Sequence, residues 1–251
     1  MKIPRLIAFD LDGTLAESKS PMSAEMGELL SQLLTRMPVA ILSGGSWKQF
    51  QYQFLTHFPP DARLENLYLF PTNAALCFVY RSQQWHPQYD KSFSDAEKER
   101  IRKALAEALA ESHFVQPERL WGEQLEDRGG EMTFSALGQE APLAEKETYD
   151  PDKAKRTPLY EALKKRLPDY EVAMNAHTSI DITPHGIDKA YGVHRLSELT
   201  GIAIKDMCFV GDALEEGGND AAVVRTGIPT HAVFDPKETA ALIRTVLQSR
   251  I

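Results

Sequence analysis

Residues 6–14 read Leu-Ile-Ala-Phe-Asp-Leu-Asp-Gly-Thr, an apolar tetrapeptide followed at once by two carboxylates and a glycine. A short apolar run flanked by charge is typical of a buried parallel strand. Two aspartates two positions apart, on a tight turn where a strand ends, can share one divalent cation and point at one reacting atom. An Asx-turn that caps the strand would explain an isolated Asp-x-Asp-Gly equally well, so the rest of the sequence has to decide.

Two further segments repeat this arrangement, and a third adds a charged pair at the start of a helix. The apolar run 39–42 precedes Ser43-Gly44-Gly45-Ser46, and the run 207–210 precedes a second acidic loop that ends in Gly217-Gly218-Asn219-Asp220. An Asp188-Lys189 pair opens the helix before that second run. Strands that alternate with helices predict an α/β fold with a doubly wound parallel sheet, and in such a sheet these loops collect at one edge. Carboxylates for Mg²⁺, with a lysine, a hydroxyl and glycine-loop amides for a phosphoryl group, predict phosphoryl transfer.

The middle of the chain has a different pattern. Paired strands around residue 80, a long charged helix with a capping box at Ser94 and Glu97, and partly alternating strands near 132–137, 170–174 and 179–183 indicate an α+β insert. We expect residues 1–82 and 187–251 to form the α/β core and residues 83–186 to form a separate domain.

Composition limits the classes of partner. The 251 residues include 36 acidic and 28 basic side chains, for a net charge of -8, with no basic run. Nucleic-acid binding depends on clustered Lys and Arg, so a nucleic-acid partner is not expected. No apolar stretch approaches the roughly 20 residues of a membrane span, and the two cysteines lack metal-ligand spacing. The expectation is a cytoplasmic protein, monomeric or homodimeric, that acts on a small molecule.

The motifs together resemble those of the haloacid dehalogenase superfamily, which has a Rossmann-like core. The resemblance implies that Asp10 is the nucleophile, Asp12 the general acid and base, Ser43 a phosphate-binding hydroxyl and Lys189 the charge neutraliser. It also implies Mg²⁺ held by the side chains of Asp10 and Asp212 and the backbone carbonyl of Asp12, with Asp220 also expected in the metal site. Gly44 and Asn219 are expected to contact substrate.

The insert is similar to the type IIB cap, and most of the chain resembles the eukaryotic-type phosphomannomutases. This resemblance implies that Arg128, Ser179 and Asp181 contact a sugar phosphate. Where that family has arginines that grip a phosphate, this sequence has Lys19, Gln139 and Lys146. Lysine lacks the bidentate fork of arginine, and glutamine is uncharged. Ser43 also stands where the mutase loop tends to be apolar.

These departures favour a Mg²⁺-dependent sugar-phosphate phosphatase that works through an aspartyl-phosphate. The alternative is a phosphomannomutase, which interconverts mannose 6-phosphate and mannose 1-phosphate. A non-catalytic sugar-phosphate sensor would not need every catalytic position.

Overall fold

The computed structural model describes residues 3–18, 20–175 and 177–249. The chain forms two compact units, a core unit of Met1–Asp90 with Asp188–Ile251 and an insert unit of Lys91–Ile187. The first division lies after residue 90 rather than after residue 82. The reason is that Gln84–Asp90 pairs antiparallel with Leu76–Arg81 and so extends the core sheet. The second division differs from the expected one by a single residue.

Regular elements follow one another along both units of the chain. The first part of the core unit contains β1 (Leu6–Phe9), α1 (Ala24–Leu34), β2 (Val39–Leu42), α2 (Trp47–Gln49), β3 (Leu67–Phe70), β4 (Leu76–Arg81) and β5 (Gln84–Asp90). The insert unit contains α3 (Asp95–Glu111), β6 (Leu125–Asp127), β7 (Met132–Ser135), α4 (Leu143–Tyr149), α5 (Thr157–Arg166), β8 (Tyr170–Asn175) and β9 (Ser179–Pro184). The second part of the core unit contains α6 (Lys189–Thr200), β10 (Met207–Gly211), α7 (Ala221–Val224), β11 (Thr230–Ala232) and α8 (Pro236–Gln248).

The core sheet has seven strands in the order β11-β10-β1-β2-β3-β4-β5. The strands from β11 to β3 are parallel, and β4 and β5 add an antiparallel hairpin. β1 lies between β10 and β2, with Phe9 paired to Val210 on one side and to Ile41 on the other. Every residue of β1 and β2 is buried, as expected of parallel strands covered on both faces. The predicted α/β fold is confirmed, and the loops after β1, β2 and β10 leave the same edge of the sheet.

The aromatic segment after β2 differs from a regular helix. Beyond α2 the backbone forms a π turn at Phe50–Phe54 and a 3₁₀ turn at Leu55–His57. Phe50 and Phe54 lie in the core, as expected of an aromatic stripe. The π turn also buries the polar side chain of Gln53, and such turns are common near functional sites.

The insert unit has a four-stranded antiparallel sheet in the order β6-β7-β9-β8. The apolar faces of α3 and α5 pack with Phe134 and Ile180 of this sheet in one buried cluster. The capping box of α3 is present as predicted. The short elements β6 and α4 were not expected. Among the helices in the described part of the chain, none has the length and apolar character needed to cross a membrane.

Candidate active site

The loops after β1 and β10 meet at Gly13. The Asp10 amide donates to the Val210 carbonyl at 2.9 Å, which aligns the ends of the two strands. Gly13 has φ +87°, and a Cβ on it would lie 2.4 Å from Asp212 Oδ2. A side chain there would therefore be strained and would also collide with a carboxylate. The hydroxyl of Thr14 donates to Asp212 Oδ1 at 3.4 Å.

Lys189 enters this site from the start of α6. Asp188 caps the helix by accepting from the Tyr191 amide at 2.9 Å, and it also pairs with Arg225. Lys189 is thereby fixed as the first helical residue, and its side chain is 1% exposed. Its ammonium donates to Asp10 Oδ1 at 2.5 Å and to Asp220 Oδ1 at 2.6 Å. One buried cation therefore holds the carboxylates of two different loops.

Burial and neighbouring charges perturb the acid–base groups here. Burial raises the pKa of Asp10 well above its usual range, with Lys189 opposing the rise and Asp220 and Asp12 adding to it. Burial lowers the pKa of Lys189, but Asp10 and Asp220 together raise it by more, so it lies above its ordinary value and Lys189 stays charged. Partial desolvation, followed by the charge of Asp220, raises the pKa of Asp212. A single ammonium therefore does not offset the buried carboxylates, and a second cation would favour their ionised forms.

The arrangement fits a divalent cation. Asp10, Asp212 and Asp220 each offer a carboxylate oxygen, and these oxygens lie within 4.8 Å of one another. Asp10 Oδ2 is buried and has no hydrogen-bond partner among the described residues. Mg²⁺ prefers hard oxygen ligands of this kind. A Cβ on Gly211 would lie 2.3 Å from Asp220 Oδ2, so glycine is also needed at the end of β10.

Asp12 does not join this carboxylate trio through its side chain. Its Oδ1 accepts from Gln53 Nε2 at 2.9 Å and its Oδ2 accepts from Gln49 Nε2 at 3.3 Å. The two glutamines are also joined, at 2.7 Å. Neither glutamine was expected from the sequence, since glutamine belongs to none of the motifs. A metal contact through the Asp12 carbonyl stays a prediction.

The glycine loop after β2 is tightly folded. The hydroxyl oxygen of Ser43, which is buried, accepts from the Gly45 amide at 3.1 Å, and the Ser43 carbonyl accepts from the Asn73 amide at 3.0 Å. A Cβ on Gly44 would lie 3.4 Å from Asn73 Nδ2. Asn219 is exposed and directly precedes Asp220. The roles of Ser43, Gly44 and Asn219 in binding phosphate stay predictions.

The insert unit brings Arg128 and Asp181 together with three residues that were not expected. Arg128 pairs with Glu126 at 2.7 Å and with Glu131 at 2.8 Å. Thr133 donates its hydroxyl to Glu131 at 3.1 Å and is the cross-strand partner of Asp181. Thr133 and Asp181 thus form part of a polar face on β7 and β9, opposite the face that packs on α3 and α5.

The other insert residues that were expected to bind substrate make hydrogen bonds through or to backbone carbonyls. The Ser179 carbonyl accepts from the buried Arg156 at 2.7 Å. The side-chain amide of Gln139 donates to the backbone carbonyls of Gln124 and Thr133, both at 3.0 Å. Lys146 Nζ donates to the backbone carbonyl of Gln139 at 3.2 Å. Lys19 lies outside the described residues. Gln139 and Lys146 therefore bind backbone carbonyls of the insert unit.

Comparisons with known proteins identify the family of the chain. Residues 26–249 match the model of the family described as eukaryotic phosphomannomutase. Phosphomannomutase of Saccharomyces cerevisiae is 26% identical over 244 residues, covering 95% of this chain and 92% of that protein. A probable phosphomannomutase of Caenorhabditis elegans is 25% identical over 250 residues, covering 97% and 95%.

A similar fold is found in a solved structure. A haloacid dehalogenase-like hydrolase from Bacteroides thetaiotaomicron superposes with a TM-score of 0.65 at 16% identity, covering 97% of this chain and 99% of that one. At this identity the likeness shows the fold alone. Because the family model spans most of the chain, the conclusion rests on that match: the chain belongs to the eukaryotic phosphomannomutase family.

Proposed function

We propose that this chain is a Mg²⁺-dependent phosphomannomutase, which moves a phosphoryl group between the 1- and 6-hydroxyls of mannose through Asp10. The observation that carries the proposal is the buried Lys189, which joins Asp10 to Asp220 beside Asp212 in a chain that matches the phosphomannomutase family over residues 26–249. The relatives' names favour this function over the phosphatase that the sequence departures favoured.

The chemistry divides between two carboxylates. Asp10 first carries a phosphoryl group taken from a hexose bisphosphate. Asp12 takes the proton from the free hydroxyl of mannose 1-phosphate, and that oxygen takes the phosphoryl group from Asp10, which gives a bisphosphate. After the bisphosphate has turned, Asp10 attacks its other phosphorus, the bond between that phosphorus and the sugar oxygen breaks, and the oxygen receives the proton from Asp12. Lys189 keeps its proton and balances charge on Asp10 throughout. Bound Mg²⁺ would neutralise charge on the phosphoryl oxygens.

Residues of the insert unit supply the sugar specificity in this proposal. Arg128 and Asp181 lie together on that unit, and Ser179 lies two residues before Asp181 on β9. Strand residues two apart lie on the same face, so Ser179 and Asp181 can contact one ligand.

Hydrolysis of a sugar phosphate is the second candidate. It is favoured by the insert residues, because Gln139 is uncharged and both Gln139 and Lys146 bind backbone carbonyls. A mutase has to retain a bisphosphate while the sugar reorients, and a weak grip on the distal phosphate would release the phosphoryl group to water.

Phosphorus NMR of one reaction separates the candidates. The protein is incubated with mannose 1-phosphate, Mg²⁺ and a catalytic amount of a hexose 1,6-bisphosphate. We expect mannose 6-phosphate as the main product, with no product from Asp10→Asn. Free phosphate without isomerised sugar would overturn the mutase in favour of the phosphatase. Binding of mannose 1-phosphate without turnover would instead support the sensor.

A further inference from the structure

Arg128 is held by carboxylates on two sides. Its Nε and Nη2 donate to Glu126 Oε2 at 2.8 and 2.7 Å, and its Nη1 donates to Glu131 Oε1 at 2.8 Å. The amide of Arg128 also donates to the Glu131 carbonyl at 2.9 Å, across the turn between β6 and β7. Both edges of this guanidinium, through which arginine binds an oxyanion, therefore already face carboxylates.

The two glutamates differ in their freedom to move. The Glu126 side chain is 40% exposed and can turn into water, whereas the Glu131 side chain is 1% exposed. Glu131 is held further by the hydroxyl of Thr133, which is itself buried. A phosphate that approaches Arg128 can displace Glu126, but the charge of Glu131 remains.

Charge at this position is unusual for a phosphate site. Burial lowers the pKa of Arg128, but Glu131, Glu126 and Asp181 raise it by more, so it lies above its ordinary value. Two glutamates thus contact one guanidinium, and the charge of Asp181 acts on it as well. A phosphate dianion placed there meets a site whose own charge is negative, and placing like charges together costs affinity.

We propose that Glu131 is a specificity-determining residue that weakens the binding of a second phosphate at Arg128 and so sets how much of the phosphoryl group is lost to water. The proposal rests on the proposed function, in which Arg128 contacts the distal phosphate of a hexose bisphosphate. Loss to water is the step in which a water oxygen bonds to the phosphorus on Asp10, the bond from phosphorus to Asp10 breaks and the water proton passes to Asp12. A sugar monophosphate whose phosphate binds weakly at Arg128 leaves before it takes the phosphoryl group from Asp10, and water then reacts more often.

A purely structural ion pair at the turn would explain the same contacts. Glu131→Gln separates the two, because its amide oxygen can still accept from Arg128 and Thr133 while the negative charge is removed. A structural role predicts lower stability with unchanged or weaker bisphosphate binding. A specificity role predicts tighter binding.

Calorimetry with a hexose 1,6-bisphosphate and Mg²⁺ shows directly whether Glu131→Gln tightens or weakens bisphosphate binding. Asp10→Asn serves as background so that no turnover occurs, and Glu161→Gln, on an exposed position of α5, is the matched control for net charge. We expect Glu131→Gln to tighten bisphosphate binding by about tenfold and Glu161→Gln to leave it unchanged. Equal affinities for Glu131→Gln and its parent, or weaker binding by the variant, would overturn the proposal.

Two further measurements keep the test decisive. With Asp10 restored, Glu131→Gln should release less phosphate per isomerised sugar than the unsubstituted protein, and an equal ratio would count against the proposal. If Glu131→Gln does not fold, Glu126→Gln takes its place and should tighten bisphosphate binding by a smaller factor; no tightening would overturn the idea. A protein that turns over no sugar phosphate refutes the proposed function alone, since the binding comparison still decides the role of Glu131.

Discussion

Lys189 Nζ lies 2.6 Å from Asp220 Oδ1 while it also donates to Asp10, so one ammonium fixes both the proposed nucleophile and a candidate metal ligand. All three side chains are at most 1% exposed. In so buried a site, removal of one partner leaves charges that nothing compensates.

Replacement of this lysine should destabilise the core and stop turnover. We expect Lys189→Met to lower the free energy of unfolding by about 3–5 kcal/mol and turnover by at least about 10²-fold. Mg²⁺ should restore part of the lost stability, since it supplies positive charge to the same carboxylates. Urea unfolding with and without Mg²⁺ measures both effects. A variant as stable as the parent without Mg²⁺ would contradict the pairing.

Metal binding should depend on Asp212. At a Mg²⁺ concentration of 100 times its Kd, binding to the native state alone stabilises a protein by about 2.7 kcal/mol. We expect this gain in thermal unfolding for the unsubstituted protein and its loss in Asp212→Asn. Asp61→Asn, an exposed change in the same unit, should keep the gain. An equal response of all three proteins would exclude the carboxylate trio as the Mg²⁺ site.

Asp12 should matter most when the leaving group is a poor one. Protonation by a placed acid contributes about 10²–10⁴-fold for a sugar oxygen, whereas p-nitrophenolate leaves without a proton. Asp12→Asn should therefore lose far more turnover with mannose 1-phosphate than with p-nitrophenyl phosphate. An equal loss of turnover with both substrates would show that Asp12 is not the general acid.

Gln53 should position Asp12 rather than act on substrate. Gln53→Leu removes the 2.9 Å hydrogen bond, and we expect up to about a 10²-fold loss with the same substrate dependence as Asp12→Asn. Gln51→Leu, an exposed change on the same π turn, is the control. If both glutamine variants behave alike, the contact with Asp12 has no catalytic consequence.

The pair of Arg156 and Asp150 should support the insert unit. Arg156 Nε donates to Asp150 Oδ2 at 2.8 Å and both side chains are at most 1% exposed. Arg156→Met should cost about 3–5 kcal/mol of stability, whereas Arg100→Met, which breaks an exposed pair with Asp169, should cost at most about 1 kcal/mol. Urea unfolding compares the two variants. An equal loss in the free energy of unfolding would show that burial does not determine how much the pair of Arg156 and Asp150 stabilises the protein.

Much of the core could be predicted because its signals are local. The apolar runs at 6–9, 39–42 and 207–210 form adjacent parallel strands, so the residues that follow them meet at one edge. The boundary after residue 82 was wrong because nothing local distinguishes a hairpin that extends the core sheet from one that starts a new domain. The short elements β6 and α4 have no apolar periodicity, and Leu143 at the start of α4 is 55% exposed.

The residues that were missed gain their importance from contacts or burial that only the folded chain creates. Gln53 lies 41 positions from Asp12 and reaches it from a π turn, which the residue pattern does not indicate. Glu131 gains its importance from a fold that buries it beside Arg128. The aspartates that we propose as catalytic, by contrast, belong to motifs whose residue types already indicate their chemistry.

The central claim is that the phosphoryl group passes through Asp10, and mass spectrometry of acid-quenched protein tests it most directly. After incubation with Mg²⁺ and a hexose 1,6-bisphosphate, we predict one added phosphoryl group on the peptide that contains Asp10, and none in Asp10→Asn. A phosphoryl group on any other residue, or an Asp10→Asn protein that still isomerises mannose 1-phosphate, would contradict the account.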